Sequence, residues 1–427
     1  MKTKDINNII IGILSIVLFL APLLVFPRVL IYDYNIPKVI VLYTCGITLV
    51  AMLFIKRREI KYDKKDILVL VFLLLTELSL IFSINKTKSL FGETGRHEGF
   101  LMVMTYVLVY YFAKYYFREY KHFYKILFGI VMAISILSIL QFYDIVPFQK
   151  ALGLQYRQFW TSGTFGNPNF LASYITIFLP ILMCLFILKG KMKNLIMASI
   201  VFWAMLCSLT RSAWVAFAVY SILGIVYVIY KKEKSIIKNS IMLFVAFVII
   251  FAVGDILSNG RIIGRNKVML SEFKNMATEG VTESMGSGRI EIWKITLNQI
   301  KLHPWIGTGV DTLKDAIAED QSDYYRDRII RTHTYIDKAH NEYLQIAATI
   351  GIPALIIYLL FLFIIMKENL KQFFSNKIIL ILLLSIIGYL VQAFFNISTI
   401  GVAPIFWIML GLIQNEEFKK EAIDKLE

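Results

Sequence analysis

Hydrophobic and polar positions in this chain segregate into blocks. Long apolar runs occupy Ile9–Phe26, Val39–Ile55, Ile67–Ile84, Phe100–Phe117, Ile126–Phe142, Phe170–Leu188, Leu195–Leu209, Trp214–Tyr230, Ile241–Ile256, Ile346–Met366, Ile378–Phe395 and Ile400–Ile413, with polar connections between them. A helix needs about 17–25 such residues to cross a hydrocarbon core of about 30 Å, and in lipid every backbone group must be satisfied within the segment. The pattern predicts an all-α fold, a polytopic transmembrane helix bundle of about 12 spans, several near the lower length limit. One long interruption divides the chain into a bundle at 1–256, a large loop at 257–345 between the ninth and tenth spans, and a second bundle with a tail at 346–427. Pro22 and Pro27 bracket the end of the first run and no small-x-small cleavage site follows, so it reads as a span and not a removable signal.

Composition agrees with this class. Hydrophobic residues are 58% of 427, charged residues 18%, and the mean hydropathy is +0.66, whereas soluble domains carry about a quarter charged residues. The net charge of +15 is spread over short connections and forms no basic domain, so nucleic acid is not an expected partner. Lys/Arg-rich connections alternate along the chain, at 56–66, 118–125, 189–194, 231–239 and 367–377. The positive-inside rule then places these and both termini in the cytoplasm, and the loop 257–345, where bases and acids balance, on the outer side of the cytoplasmic membrane. Cys45, Cys184 and Cys207 fall inside apolar runs without metal or disulfide spacing and read as small buried hydrophobes.

Candidate chemistry lies in the outer connections. Arg96 stands beside a membrane entry point, and Asn167 and Asn169 belong to a Gly/Asn/Pro turn that either caps a helix or offers amides to a headgroup. Arg211, in Leu-Thr-Arg-Ser-Ala-Trp, is a cation in an outward hairpin of a few residues, close to the bilayer boundary where ionisable groups are functional or paired. The long loop holds two of the six Trp and three of the five His. Its first part, 257–288, is polar and aperiodic and reads as mobile or weakly structured. Ile290, Trp293, Leu297 and Ile300 recur at helical spacing and predict an amphipathic helix along the membrane surface with Arg289 in its first turn. Cations are disfavoured there, and a bound anion would offset the cost. Trp305 reads as an interfacial anchor, while Asp323 and Asp327 read as a solvated helix face and not a metal site. His340 and Asn341 precede an apolar segment broken at Gly351-Ile-Pro353. The run after the break is too short to cross, so 346–350 is expected to dip into the outer leaflet, with His340 at the exposed N-terminal end of its helix.

Six motifs in order carry a resemblance: Gly166-Asn-Pro-Asn, Leu209-Thr-Arg-Ser-Ala-Trp, Gly288-Arg-Ile-Glu-Ile-Trp, His303-Pro-Trp-Ile-Gly-Thr-Gly, Ala339-His-Asn-Glu-Tyr-Leu-Gln and Gly351-Ile-Pro. From about Arg96 to Pro353 the chain resembles the O-antigen ligase and O-antigen polymerase family of bacterial membrane glycosyltransferases. The resemblance implies metal-independent transfer of a glycan from an undecaprenyl-pyrophosphate carrier to an acceptor, itself a glycan or lipid-linked, with no cofactor. It further implies that His340 is the general base and that Arg211 and Arg289 hold the pyrophosphate. Arg96, Asn167, Asn169, Trp293 and Asn341 complete the candidate site as substrate-binding residues. The family includes ligases and polymerases, which these motifs do not separate. The alternative class is a transporter or flippase of lipid-linked oligosaccharide, which often shows two related halves; none is visible here.

Overall fold

A computed structural model describes residues 3–25, 35–59, 61–145, 160–280, 282, 285–320, 323–332 and 335–420. Residues 28–34 and 146–159 of two expected outer connections lie outside the described residues, as do the side chains of Asp323 and Asp327. Among the described residues every regular element is a helix: α1 Thr3–Phe19, α2 Ile36–Lys56, α3 Lys64–Ile81, α4 Lys86–Phe91, α5 Phe100–Tyr116, α6 Phe123–Phe142, α7 Pro168–Lys189, α8 Met192–Cys207, α9 Arg211–Lys231, α10 Lys234–Leu257, α11 Arg261–Glu279, α12 Met285–Leu302, α13 Leu313–Asp320, α14 Asp323–Thr332, α15 Glu342–Thr349, α16 Ile352–Leu370, α17 Lys377–Ala393 and α18 Ala403–Leu412.

Helices occupy all twelve apolar runs. Six of them, α2, α6, α7, α9, α10 and α16, are long and apolar enough to cross a bilayer by themselves, and α1, α8, α17 and α18 are shorter apolar helices. The protein is a multi-pass membrane protein. Caps mark several helix starts: Asp63 and Asp66 form a reciprocal capping box on α3, and Asn376 accepts from two N–H groups at the head of α17. Within the bundle α18 lies along α5, and α7 packs against α17 and α8. A buried Lys114–Asp66 ion pair at 2.8 Å joins α5 to α3. All three cysteines are buried and free, as expected of small hydrophobes.

Above the bundle a second core forms from Ile292, Ile295, Leu313, Ile317, Tyr325 and Ala348 with their neighbours, tying α12 to α15. Burying each such aliphatic side chain contributes about 1.5–3 kcal/mol, so this cluster gives the segment between α11 and α16 an interior of its own. The turn His303–Gly309 locks onto the break after α15: the Ile352 N–H donates to Pro304 O at 2.8 Å and the Gly309 N–H to Thr349 O at 3.0 Å. Gly351 (φ +106°) lies so close that a Cβ would stand 2.3 Å from Trp305 O, which is why glycine occupies the break. Trp305 itself is 75% exposed.

Three expectations need correction. Residues 257–288 are largely helical: α11 runs from Arg261 to Glu279, with Ile262, Met269 and Met276 seven residues apart on one face. The face of α12 turned to the second core is Ile292, Ile295 and Ile300, while Ile290 and Trp293 face a cavity and Leu297 is exposed, so α12 is buttressed by protein on its inner side. α16 continues through Lys367 to Leu370, 19 residues in all, and is long enough without help from 346–350. The expectation that 346–350 must dip into the bilayer loses its premise; Ala347 and Ala348 pack into the second core, while Ile346 and Ile350 pack against the bundle core.

Candidate active site

The chain places Arg211 through an abrupt hairpin. Leu209 adopts a left-handed conformation (φ +49°), Thr210 is the N-cap, and Arg211 is the first residue of α9. Arg289 arrives by a comparable device, because Gly286, Ser287 and Gly288 are all left-handed and the regular part of α12 starts immediately after them. The two glycines adopt that conformation without Cβ strain. Both arginines therefore stand at helix starts, as the hairpin and the helical spacing predict.

The two guanidinium groups line one cavity of about 300 Å³ between α9, α11, α12 and the end of α17. Its walls are apolar, from Met269, Met276, Met285, Ile290 and Phe394. Arg211 Nη1 pairs with Glu272 at 2.7 Å and Nη2 donates to Ser287 Oγ at 2.7 Å. Glu272 also accepts from the Gly286 N–H at 3.1 Å. Burial acts to raise the Glu272 carboxyl, but the bonds from Arg211 and Gly286 outweigh it and hold the group below its usual range. Arg265 adds a third guanidinium, donating to Leu209 O at 3.3 Å. Burial and then the charges of Arg211 and Arg265 lower Arg289 to about 10, so it stays protonated at neutral pH in an unfavourable place. Arg289 has no ion-pair partner among the described residues. Two donors on the same wall, Trp293 Nε1 and Ser212 Oγ, are buried and meet no partner among the described residues. Leaving such groups unsatisfied costs about 1–3 kcal/mol each, and an anionic ligand would relieve them.

His340 stands in the residue before the N-cap of α15, in a left-handed conformation (φ +50°). Asn341 is the cap itself, accepting from the Leu344 N–H at 3.0 Å. The expected exposed position is corrected here: the His340 side chain is only 30% exposed. Its Nε2 is 4.0 Å from Asp337 Oδ1. Asp337 in turn accepts from Arg96 Nε and Nη2 at 3.0 and 2.5 Å, and burial's tendency to raise it is overcome by Arg96. Burial lowers His340 to about 4; Asp337 opposes this, while Arg289, Arg96 and Lys338 reinforce it. The imidazole is therefore neutral at pH 7 and lies within the electrostatic reach of Arg289. Ring contacts link the two halves as well: Trp293 meets Phe394 edge-on at 5.5 Å, and Phe394 meets Tyr343 at 6.3 Å.

Arg211, Arg289 and Trp293 thus share a cavity, and Arg96 joins His340 through Asp337. The amides behave differently. Asn167 caps α7, accepting from the Asn169 N–H at 2.8 Å, and the Asn169 carbonyl accepts from Asn396 at 3.1 Å. The local role of the Asn167 side chain is that of a cap, one of the two readings the turn allowed, and so is that of Asn341, whereas Asn169 takes part through its backbone. Arg96 lies over the Phe170 ring at 5.4 Å, next to that turn. Sequence reasoning missed Arg265, Glu272, Ser212 and Asp337. The first two share the α11 face of Ile262 and Met269, a seven-residue signal diluted because that face is turned to a charged cavity.

No curated protein matches the chain. Arg96, Asn167 and Asn169 precede the stretch of the chain that a known family covers. That stretch, residues 196–359, contains both arginines of the cavity, Trp293, His340 and Asn341, and it matches the family described as O-antigen ligase.

Proposed function

We propose that the chain transfers a glycan from an undecaprenyl-pyrophosphate carrier to an acceptor hydroxyl on the outer face of the cytoplasmic membrane, with His340 as general base and Arg211 and Arg289 as the pyrophosphate clamp. The match of residues 196–359 to the O-antigen ligase family supports a membrane glycosyltransferase of ligase or polymerase type. The observation that carries the finer reading is the cavity of Arg211, Arg289 and apolar Met, Ile and Phe walls, which suits a ligand with an anionic head and a hydrocarbon tail.

In this mechanism the acceptor oxygen attacks the anomeric carbon while His340 Nε2 removes the hydroxyl proton. A new carbon–oxygen bond forms, the bond to the pyrophosphate oxygen breaks, and the electron pair leaves on the pyrophosphate. Charge grows on that oxygen, where guanidinium groups donate charge-assisted bonds. The neutral imidazole is in the protonation state the step requires. Asp337, held by Arg96 and 4.0 Å from Nε2, stabilises the imidazolium that forms once Nε2 has taken the proton. The leaving group is already activated, so neither nucleotide nor metal enters the step. The Glu272 carboxylate occupies Arg211 when no donor is bound and yields when the pyrophosphate arrives.

The test uses purified protein in nanodiscs, an undecaprenyl-pyrophosphate glycan and a panel of acceptors, with and without EDTA. Glycan transfer with stoichiometric release of undecaprenyl pyrophosphate, insensitive to EDTA, is expected. Movement of intact lipid-linked glycan between leaflets without transfer would instead establish a flippase.

A further inference from the structure

The largest cavity described lies at the other membrane face. It encloses about 710 Å³ between α1, α6, α7, α8, α17 and α18, within the roughly 300–1,000 Å³ of a typical ligand cleft. α7 fixes its position relative to the candidate site. Asn167 caps the start of this helix beside Arg96, and Lys189 ends it after 22 residues, about 33 Å away. The cavity therefore has no residue in common with the arginine and histidine cluster.

Its chemistry is divided along its length. The interior is lined by Phe128 and Met132 of α6, Phe178 and Leu185 of α7, Ile381 of α17 and Met409 of α18. Lys125, Lys189, Lys191 and Lys193 stand at the membrane-boundary end, and no acidic side chain lines the cavity among the described residues. From Phe178 to Lys189 the lining runs 11 residues along α7, about 17 Å of helix, which is roughly the hydrocarbon depth of one leaflet. A cleft one leaflet deep, apolar inside and cationic at the rim, matches a single class of molecule in shape and charge.

We propose that this cleft binds an anionic phospholipid, its phosphate held by the lysine rim and an acyl chain inserted between α6, α7 and α18. The lipid joins α6 and α8 to α17 and α18 at the end of the bundle remote from the chemistry. Basic groups near a membrane surface attract acidic lipids, and the effect accumulates with each Lys. Gly129, on the α6 wall, has nothing within 4 Å of where a Cβ would stand, so a larger side chain there projects into open space in the cleft.

Native mass spectrometry of the purified full-length protein tests this, with titration of palmitoyl-oleoyl phosphatidylglycerol and of phosphatidylcholine bearing the same chains. One phosphatidylglycerol binds in preference to phosphatidylcholine. Lys191→Gln/Lys193→Gln weakens phosphatidylglycerol binding by roughly 30-fold and leaves phosphatidylcholine unchanged. Gly129→Phe lowers occupancy by both lipids without altering charge. Equal binding of the two lipids by the parent, or phosphatidylglycerol binding unchanged in both variants, overturns the proposal. Preferential capture of undecaprenyl phosphate over phosphatidylglycerol overturns the choice of lipid.

Discussion

Replacing Arg289 by Met is expected to move stability and activity in opposite directions. The guanidinium is lowered from its ordinary value to about 10 by burial and by Arg211 and Arg265. At about 1.4 kcal/mol per tenfold change in protonation, holding the charge there costs roughly 3 kcal/mol. The folded state binds fewer protons than the unfolded chain only above about pH 10, so at neutral pH the whole cost is present. Met retains most of the packing and removes the charge. After allowance for lost contacts of the guanidinium, the variant should gain about 1–2 kcal/mol, seen as a rise of a few degrees in the unfolding midpoint in detergent. Donor turnover should fall sharply, because each charge-assisted bond to the pyrophosphate is worth about 1.5–3 kcal/mol, or roughly 10- to 100-fold in kcat/KM. Inorganic pyrophosphate should raise the midpoint of the parent and much less that of the variant. A variant less stable than the parent, with donor kinetics unchanged, would show that Arg289 is a structural cation and refute the reasoning.

His340, lowered to about 4, should leave kcat/KM flat from pH 8 down to about 5 and produce its acid limb below that, not near the usual 6.5; a pH–rate profile with a limb at 6.5 contradicts the burial argument. Between those two values the unfolded chain binds the extra proton, so His340→Gln should flatten the fall in stability as pH drops through 6.5 to 4, measured by unfolding at several pH values. Asp337→Asn removes the partner of Arg96 and the stabiliser of the imidazolium; kcat should fall about 10- to 100-fold with donor KM nearly unchanged, at a stability cost of about 1 kcal/mol because the pair is partly exposed. Gly351→Ala forces a Cβ to 2.3 Å from Trp305 O at φ +106° and should destabilise by about 3 kcal/mol or more, read as a lower unfolding midpoint.

The parts of the fold legible in sequence are those governed by hydrophobic periodicity. Apolar runs fix helices, and caps such as Asp63 and Asn376 fix where they begin. Arg211 is legible because a cation in so short an outward hairpin lies close to the bilayer boundary, and Arg289 because a cation at a helix start runs against the helix dipole and asks for an anion. α11 is not legible. One face carries Arg265 and Glu272 among Ile262, Met269 and Met276, so the apolar stripe that announces a helix is broken by Glu272, which lines the cavity, and by Arg265, which bonds Leu209 O beside it. Asp337 is hidden for another reason: its partner Arg96 lies 241 residues away, and one carboxylate in a charged segment carries no local signal. Asn167 and Asn341 stand in motifs and their side-chain oxygens cap helices, so their place in the sequence is accounted for locally by the helix starts they make. The length of α16 is misjudged because its last turn is polar while its helix continues to Leu370.

The most direct test of the central claim is single-turnover transfer from an undecaprenyl-pyrophosphate glycan by the parent and by His340→Ala, with donor binding measured in parallel. The account predicts that His340→Ala binds donor as the parent does while glycan transfer and undecaprenyl-pyrophosphate release fall together by about 100-fold or more. Transfer at the parental rate in His340→Ala would contradict it.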